Sequence, residues 1–398
     1  MSAIEIGTSK VTVLIAAFDS KGAVQILGAG RSSHNAVHRG AVLEESQVVD
    51  AISEAIIKAE RMAAVPLSNP LVGIPGTHIS AFVAGGSVTI TRLGSKVQPA
   101  DIDRVIEAAK ARAVPLGRRI IGYEILEFTV DDVHLAASPL GQQARYLGAD
   151  VQFVTLSLAA LESYRACLAK AGLKSDKIIP SSIAASYSVL TLKERAEGVI
   201  LVDVGAGLCE FAVYKDAILQ DLGCLPVGTE NFIQDLIVGL NITKDEARHL
   251  LQTVGLRPAQ GLEHVGTKLA PGVSSEVLEG CNRILAARGE EIWQLINEAV
   301  TNVNLGRSRP KYVKLVGGGA LVPGFRELGT AIMDSSIEVA QPASVAGLPE
   351  AWQNPSSAVC VGLISHQIDG LAKSAGDIKQ SGMIHVPWQK IRTWLGFQ

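Results

Sequence analysis

Two segments of this chain share one design. The first reads Ile4-Glu5-Ile6-Gly7-Thr8-Ser9-Lys10-Val11-Thr12-Val13, and the second reads Leu201-Val202-Asp203-Val204-Gly205-Ala206-Gly207-Leu208-Cys209-Glu210-Phe211. In each, a β-branched run reaches an acid, turns on glycine and small residues, and leaves as a second run of strand character. Each predicts a β-hairpin whose tip presents backbone N–H groups that bulky side chains do not screen, beside one carboxylate. Such a tip can hold a phosphate by its amides, with the acid placed for a metal ion. One such hairpin by itself reads more readily as an ordinary glycine turn. The repeat changes that weighing, because Glu5 and Asp203 lie 198 positions apart, about one domain's length. Two phosphate-type hairpins, each opening an α/β domain, predict a duplicated fold with a ligand in the cleft between the halves. Thr8, Ser9 and Lys10 either add side-chain donors for that phosphate or simply make a polar turn.

The bulk numbers agree. At 398 residues the chain exceeds one compact core, so two domains or more are expected. A net charge of −3 leaves no basic excess to neutralise phosphates, which argues against nucleic acid as a partner. The five cysteines, Cys167, Cys209, Cys224, Cys281 and Cys360, are scattered, odd in number and without a CxxC, so they read as reduced thiols rather than disulfides or a zinc site. No signal-peptide pattern opens the chain and no apolar run reaches the ~20 residues of a membrane span, so a cytosolic setting is expected.

Along the chain, residues 44–64 have helical periodicity with acids early and Lys58 and Arg61 late. Residues 99–113 form a second clear helix, with Asp101 near its start. Residues 119–125 and 128–133 are two strand-like runs, and 151–157 a third, so 81–155 read as a small module inserted before the first domain closes. Residues 256–275 are rich in Gly and Pro and read as loop; 276–301 carry the longest helical pattern. Residues 312–316 form a buried strand that runs into Gly317-Gly318-Gly319, where the backbone can lie against a planar or anionic ligand.

The two hairpins and the Gly317–319 turn, in that order, resemble the actin/Hsp70/sugar kinase superfold. Within it, the chain resembles the FtsA family of bacterial cell-division proteins. The matching stretches are Ile183-Ala184-Ala185-Ser186-Tyr187-Ser188-Val189-Leu190-Thr191 running through Glu194-Arg195 and Glu197-Gly198-Val199 to Asp203, Glu60 with its helix, Ile74-Pro75-Gly76-Thr77-His78-Ile79, and Asp101-Ile102-Asp103-Arg104-Val105-Ile106. The resemblance covers essentially the whole chain. It implies an α/β actin-like ATPase fold with two duplicated domains around a nucleotide cleft and an FtsA-type insert. The implied division is a first domain of 1–80 and 156–192, an insert of 81–155, a second domain of 193–227 and 312–370, and a small partner-binding subdomain of 228–311. It further implies ATP, with its phosphates at Gly7, Thr8, Ser9 and Lys10 and at Gly205, Ala206 and Gly207. Mg2+ would be held through waters near Glu5 and Asp203, and purine and ribose near Gly317, Gly318 and Gly319.

Partners implied in the same way are the FtsZ C-terminal tail, further copies of the chain in a filament, other division proteins and anionic lipid, at the cytoplasmic side of the inner membrane at the division site. The chain departs from the family where Glu5 replaces an Asp, where Leu208 replaces a hydroxyl residue, and where Arg248 and Leu251 fall near a nucleoside-facing Glu and Lys. A position credited with gripping the FtsZ tail falls at Cys281. These changes predict a weakened cleft. No general base is evident near residues 180–185, so ATP is expected as a structural ligand and at most slowly hydrolysed.

The last residues carry a separate signal. Residues 371–383 are small and polar and read as a linker. Beyond them, Trp388, Ile391, Trp394 and Leu395 share one face at helical spacing, with Lys390 and Arg392 flanking and Phe397 near the end. Residues 384–398 thus predict an amphipathic helix lying on an anionic membrane, or else a terminal helix docked on the protein's own body. FtsA proteins end in such a helix. The competing functions are a PilM-type pilus-assembly scaffold, which the membrane helix disfavours, and a kinase or phosphatase of the same superfold, which the lost hydroxyl and missing base disfavour.

Overall fold

The computed structural model describes residues 1–380 apart from 93, 95, 114, 136–137, 176, 257–274 and 304–308. Two five-stranded sheets have the same topology. In the first the order is Ile178–Pro180, Leu71–Ile74, Ser2–Ile6, Lys10–Phe18, Val24–Ser33. In the second it is Ser336–Val339, Tyr312–Val316, Val199–Val204, Cys209–Lys215, Ile218–Leu225, read from the corresponding edge. Each is an antiparallel three-strand meander extended by two parallel strands from its first strand. The first strand of each meander is buried along its whole length. Each is flanked by one antiparallel and one parallel neighbour and covered on both faces, so Val199–Val204 is apolar except for Asp203, while Ser2–Ile6 buries Glu5 between Ile4 and Ile6.

A third sheet, wholly antiparallel, runs Ile79–Thr89, Tyr146–Ser157, Arg118–Val130, Val133–Leu135, with the Pro99–Ala113 helix packed on it. The runs at 119–125 and 128–133 are one long strand instead of two, carried past its irregular register by two shifts against Tyr146–Ser157. Asp101 is fully buried at the start of the helix. It accepts from Gln98 N–H at 2.9 Å and pairs with Arg92 and with Arg104 at 3.2 Å. The hydrogen bond from Arg92 holds its carboxyl down at about 2. The insert also reaches the second domain's outer strand: Leu219 N–H donates to Glu124 at 2.9 Å, and Gln152 Nε2 donates to the Gln220 carbonyl.

Helices Thr229–Leu240, Lys244–Thr253 and Ser275–Thr301 form the small helical unit beside the second sheet. Its core holds Phe232, Trp293 and Phe325, with the indole donating to the Phe325 carbonyl at 2.9 Å. Full burial of each such ring contributes about 1.5–3 kcal/mol. Thr243 and Glu246 cap the middle helix reciprocally, a pairing written locally in the sequence. The Ala358–Gln380 helix crosses Ser181–Val189 and is tied to it by Ser188 Oγ donating to the Ala358 carbonyl at 2.7 Å. This helix corrects the expected linker, because it continues through 371–380. Leu371, Ala372, Lys373 and Ala375 are good helix formers and simply propagate a helix already nucleated. The expected membrane residues Trp388, Lys390, Ile391, Arg392, Trp394, Leu395 and Phe397 lie outside the described residues, as does most of the loop at 256–275. Among the described residues no helix is long and apolar enough to cross a membrane.

Candidate functional site

The two hairpins meet tip to tip. Each closes on the same turn, with Gly7 N–H donating to the Lys10 carbonyl at 2.9 Å and Gly205 N–H donating to the Leu208 carbonyl at 2.8 Å. The tips touch at Gly207, where a Cβ would fall 2.7 Å from Thr8 Cγ2. Only glycine allows this approach. Between them lies a cavity of about 180 Å³. Its walls bring together Glu5, Gly7, Thr8, Ser9 and Lys10 from the first hairpin, Asp203, Gly205 and Ala206 from the second, and Gly317 and Gly318 from the triple-glycine turn. Gly207 faces Thr8 and an adjoining cavity instead. Gly319 also leaves this wall: its missing Cβ sits 2.2 Å from Val204 Cγ1, so it packs onto the strand behind.

The chemistry of the walls is uneven. The Thr8, Ser9, Ala206 and Gly207 N–H groups donate to no acceptor among the described residues. Glu5, Asp203 and Glu210 are all buried at the floor. Burial first and Glu5 second push the Asp203 carboxyl up to about 7, with Lys10 pulling it back. Burial and then Asp203 push the Glu210 carboxyl well above the usual carboxylate range. Burial lowers the Lys10 ammonium, against the pull of Glu5. The Lys10 Nζ donates to the Ser356 carbonyl at 2.8 Å, across the cleft, and Gly317 N–H donates to Pro355 next door at 3.1 Å. One oxygen of Glu5 and the hydroxyl of Ser181 are buried without a hydrogen-bond partner. Gly317 adopts φ +84, and a Cβ there would strike Asp203 Oδ1 at 2.2 Å; Gly318 faces open space.

These features suit a phosphate with a hydrated cation. Free amides at both tips can donate to an anion, and clustered carboxylate oxygens can accept from cation-bound water. Among the described residues no group of three His, Cys, Asp or Glu side chains is spaced to hold a bare metal ion. Sequence reasoning missed Ser181, Thr229, Ser356 and the inward aim of Glu210. Glu210 was findable, since it is the register partner of Asp203 just as Thr12 is of Glu5. Ser356 had no signal, because its backbone carbonyl makes the contact.

The twin sheets with hairpins meeting over one cleft define an actin-like ATPase fold. A chain of the PilM-PilN type IV pilus biogenesis complex has the same fold at a TM-score of 0.65 and 15% identity, with 92% of this chain and 97% of that one covered. The ethanolamine utilization protein EutJ from Carboxydothermus hydrogenoformans gives 0.51 at 14% identity, covering 91% and 88%. The family description "SHS2 domain inserted in FTSA" matches residues 76–155, and "Cell division protein FtsA" matches residues 200–362. Cell division protein FtsA of Pseudomonas aeruginosa is 28% identical over 93% of this chain and 91% of its own length. That of Neisseria meningitidis is 29% identical over 92% and 89%, and that of Bacillus subtilis 26% identical over 85% and 78%. The chain belongs to the FtsA family of cell-division proteins.

Proposed function

We propose that this chain is a membrane-tethered division scaffold that holds Mg–ATP in the cleft as a structural ligand. The observation that carries the nucleotide reading is the pair of tips with free amides over buried, partnerless carboxylate oxygen. Thr8, Ser9, Lys10, Gly7, Gly205 and Ala206 hold the phosphates, with Gly207 shaping the tip. Glu5 and Asp203 accept from the water shell of Mg2+, whose charge offsets the repulsion among the floor carboxylates. Gly317 and Gly318 leave backbone open for ribose and purine, and Gly319 sets the turn. Residues 180–185 offer no carboxylate or imidazole to activate water. Bound ATP therefore closes the two halves and favours assembly into an actin-like filament by mass action.

The FtsZ C-terminal tail is assigned to the small subdomain of 228–311. A groove there runs between Thr229–Leu240 and Ser275–Thr301, with Val238 and Ile284 apolar and the Asp235–Arg288 pair at its rim. Val238 is 82% exposed, an apolar side chain for a peptide to cover. Residues 384–398 attach the filament to anionic lipid at the division site, and weak single helices add up along a polymer. Co-sedimentation with anionic vesicles tests this. The full chain with Mg–ATP should pellet with vesicles, and a chain lacking 384–398 should stay in solution; pelleting that survives the truncation rejects the membrane assignment. Calorimetry that finds no affinity for any purine nucleotide rejects the cleft assignment.

A further inference from the structure

The insert has a core of its own, in which Val105, Ala109, Leu147, Val151 and Phe153 are fully buried. Its chain leaves and returns through the first domain, where Ser157 N–H donates to the His78 carbonyl at 3.1 Å. The Pro99–Ala113 helix covers one face of its sheet. Gln152 and Glu124 are register partners on neighbouring strands and alternate with the core residue Phe153, so they lie on the other face.

That other face meets the second domain. Ile218–Leu225 is the outermost strand of the second sheet. Its Leu219 N–H donates to Glu124 at 2.9 Å, and its Gln220 carbonyl accepts from Gln152 Nε2 at 2.5 Å. A sheet edge presents a row of unpaired donors and acceptors, and here side chains of another domain cap two of them. Gln152 is only 2% exposed, so the contact is shielded from water. Leu219 and Leu222 of the same strand are buried in the first domain's core, against which Ala81 and Ile121 of the insert also pack.

The strand paired with this edge carries part of the cleft floor. Cys209–Lys215 runs antiparallel to Ile218–Leu225, and its Glu210 lines the inner chamber. Glu210 also accepts from Gly76 N–H at 3.4 Å, at the buried residue from which the chain departs into the insert. One hairpin is therefore held along its outer strand by the insert and at its cleft end by the insert's root.

We infer that the Cys209–Leu225 hairpin is a strap coupling the insert to the cleft floor, so that the insert cannot shift against the second domain without loosening the hold of Glu210 on Gly76. The two halves thereby have a tie besides the one at Ser186 and Tyr214, whose hydroxyls lie 2.9 Å apart. Such coupling is reciprocal, and whatever steadies the floor also steadies the insert.

Hydrogen–deuterium exchange of the full chain, resolved to single amides, tests this with Glu124→Ala, Glu124→Gln and Gln152→Ala. Glu124→Ala removes the acceptor, so the Leu219 amide should exchange about tenfold faster, the scale of one charge-assisted hydrogen bond. Glu124→Gln keeps a carbonyl acceptor and should stay within about threefold of wild type. The Gly76 amide, which none of the variants touches, should quicken by about threefold or more in both Glu124→Ala and Gln152→Ala. The 99–113 helix should keep its wild-type protection, which shows that the insert is folded. Should Glu124→Ala unfold it, Gln152→Ala, which leaves the Glu124 acceptor in place, gives the same reading at Gly76. A faster Leu219 with Gly76 unchanged would show a local edge cap and overturn the strap, as would wild-type exchange at both amides.

Discussion

The two hairpins have one backbone and two chemistries. Gly7 and Gly205 close the same turn within 0.1 Å of each other in hydrogen-bond length. The first tip then carries Thr8, Ser9 and Lys10, and the second carries Ala206, Gly207 and Leu208. At matching positions one hairpin has a half-buried cation reaching to Ser356, and the other has Leu208, 3% exposed and packed at the cavity wall. The second tip is braced from behind, where Thr229 N–H and Glu230 N–H donate to the Gly205 and Ala206 carbonyls at 3.0 and 2.7 Å. The first tip is braced where His34 N–H donates to the Ser9 carbonyl at 3.0 Å. The two hairpins share the turn. They do not share the side chains, so one tip supplies charge and the other supplies shape.

Copying the second hairpin onto the first is the severest test. Lys10→Leu removes the cation whose charge acts on Glu5 and Asp203 and the only ammonium at the tips among the described residues. Nucleotide affinity measured by calorimetry should fall about 100-fold; affinity within twofold of wild type would mean the hairpins are interchangeable. Leu208→Ala should act on stability instead. Truncating a buried leucine costs about 2–5 kcal/mol in urea denaturation.

The junction beneath the second hairpin gives a pH test. Gly76 N–H reaches Glu210 at 3.4 Å, and His78 folds over Gly76. Burial, and then Arg118, lower the His78 imidazole to about 4. The folded protein therefore keeps His78 neutral at a pH where the unfolded chain, near 6.5, has protonated it. Stability should fall as pH drops from about 6.5 to about 4, by up to about 3 kcal/mol, and His78→Gln should remove that part of the slope. An unchanged slope would place the acid sensitivity elsewhere. The smallest effect belongs to the contact between tips. Gly207→Ala should cost about 1–3 kcal/mol through overpacking on Thr8, and Thr8→Ser, which removes the offending methyl, should recover most of it. A double-mutant cycle with no coupling would show that the tips do not touch.

Much of this was legible in the residues. The hairpins, the helices at 44–64, 99–113 and 276–301, and the inserted module follow from local periodicity and turn chemistry. The insert's boundaries blur because Ile79–Thr89 and Tyr146–Ser157 run unbroken through the junction. The linker expected from 371 was misjudged because small polar residues do not by themselves stop a helix that packing has already started. The short Leu192–Glu197 helix was overlooked although Thr191 and Glu194 spell its capping box.

The sequence by itself determined the twin turns, the acids beside them and the glycines that let them approach, because these depend on neighbours a few residues away. Only the tertiary structure decided how those parts are used. Lys10 finds Ser356 some 346 positions along the chain, Glu210 turns toward Gly76, and Glu124 of the insert caps Leu219 of the second domain. Burial then sets the charge states, lifting Asp203 and lowering Lys10. Desolvation depends on everything that surrounds a group, and no local stretch of sequence contains that information.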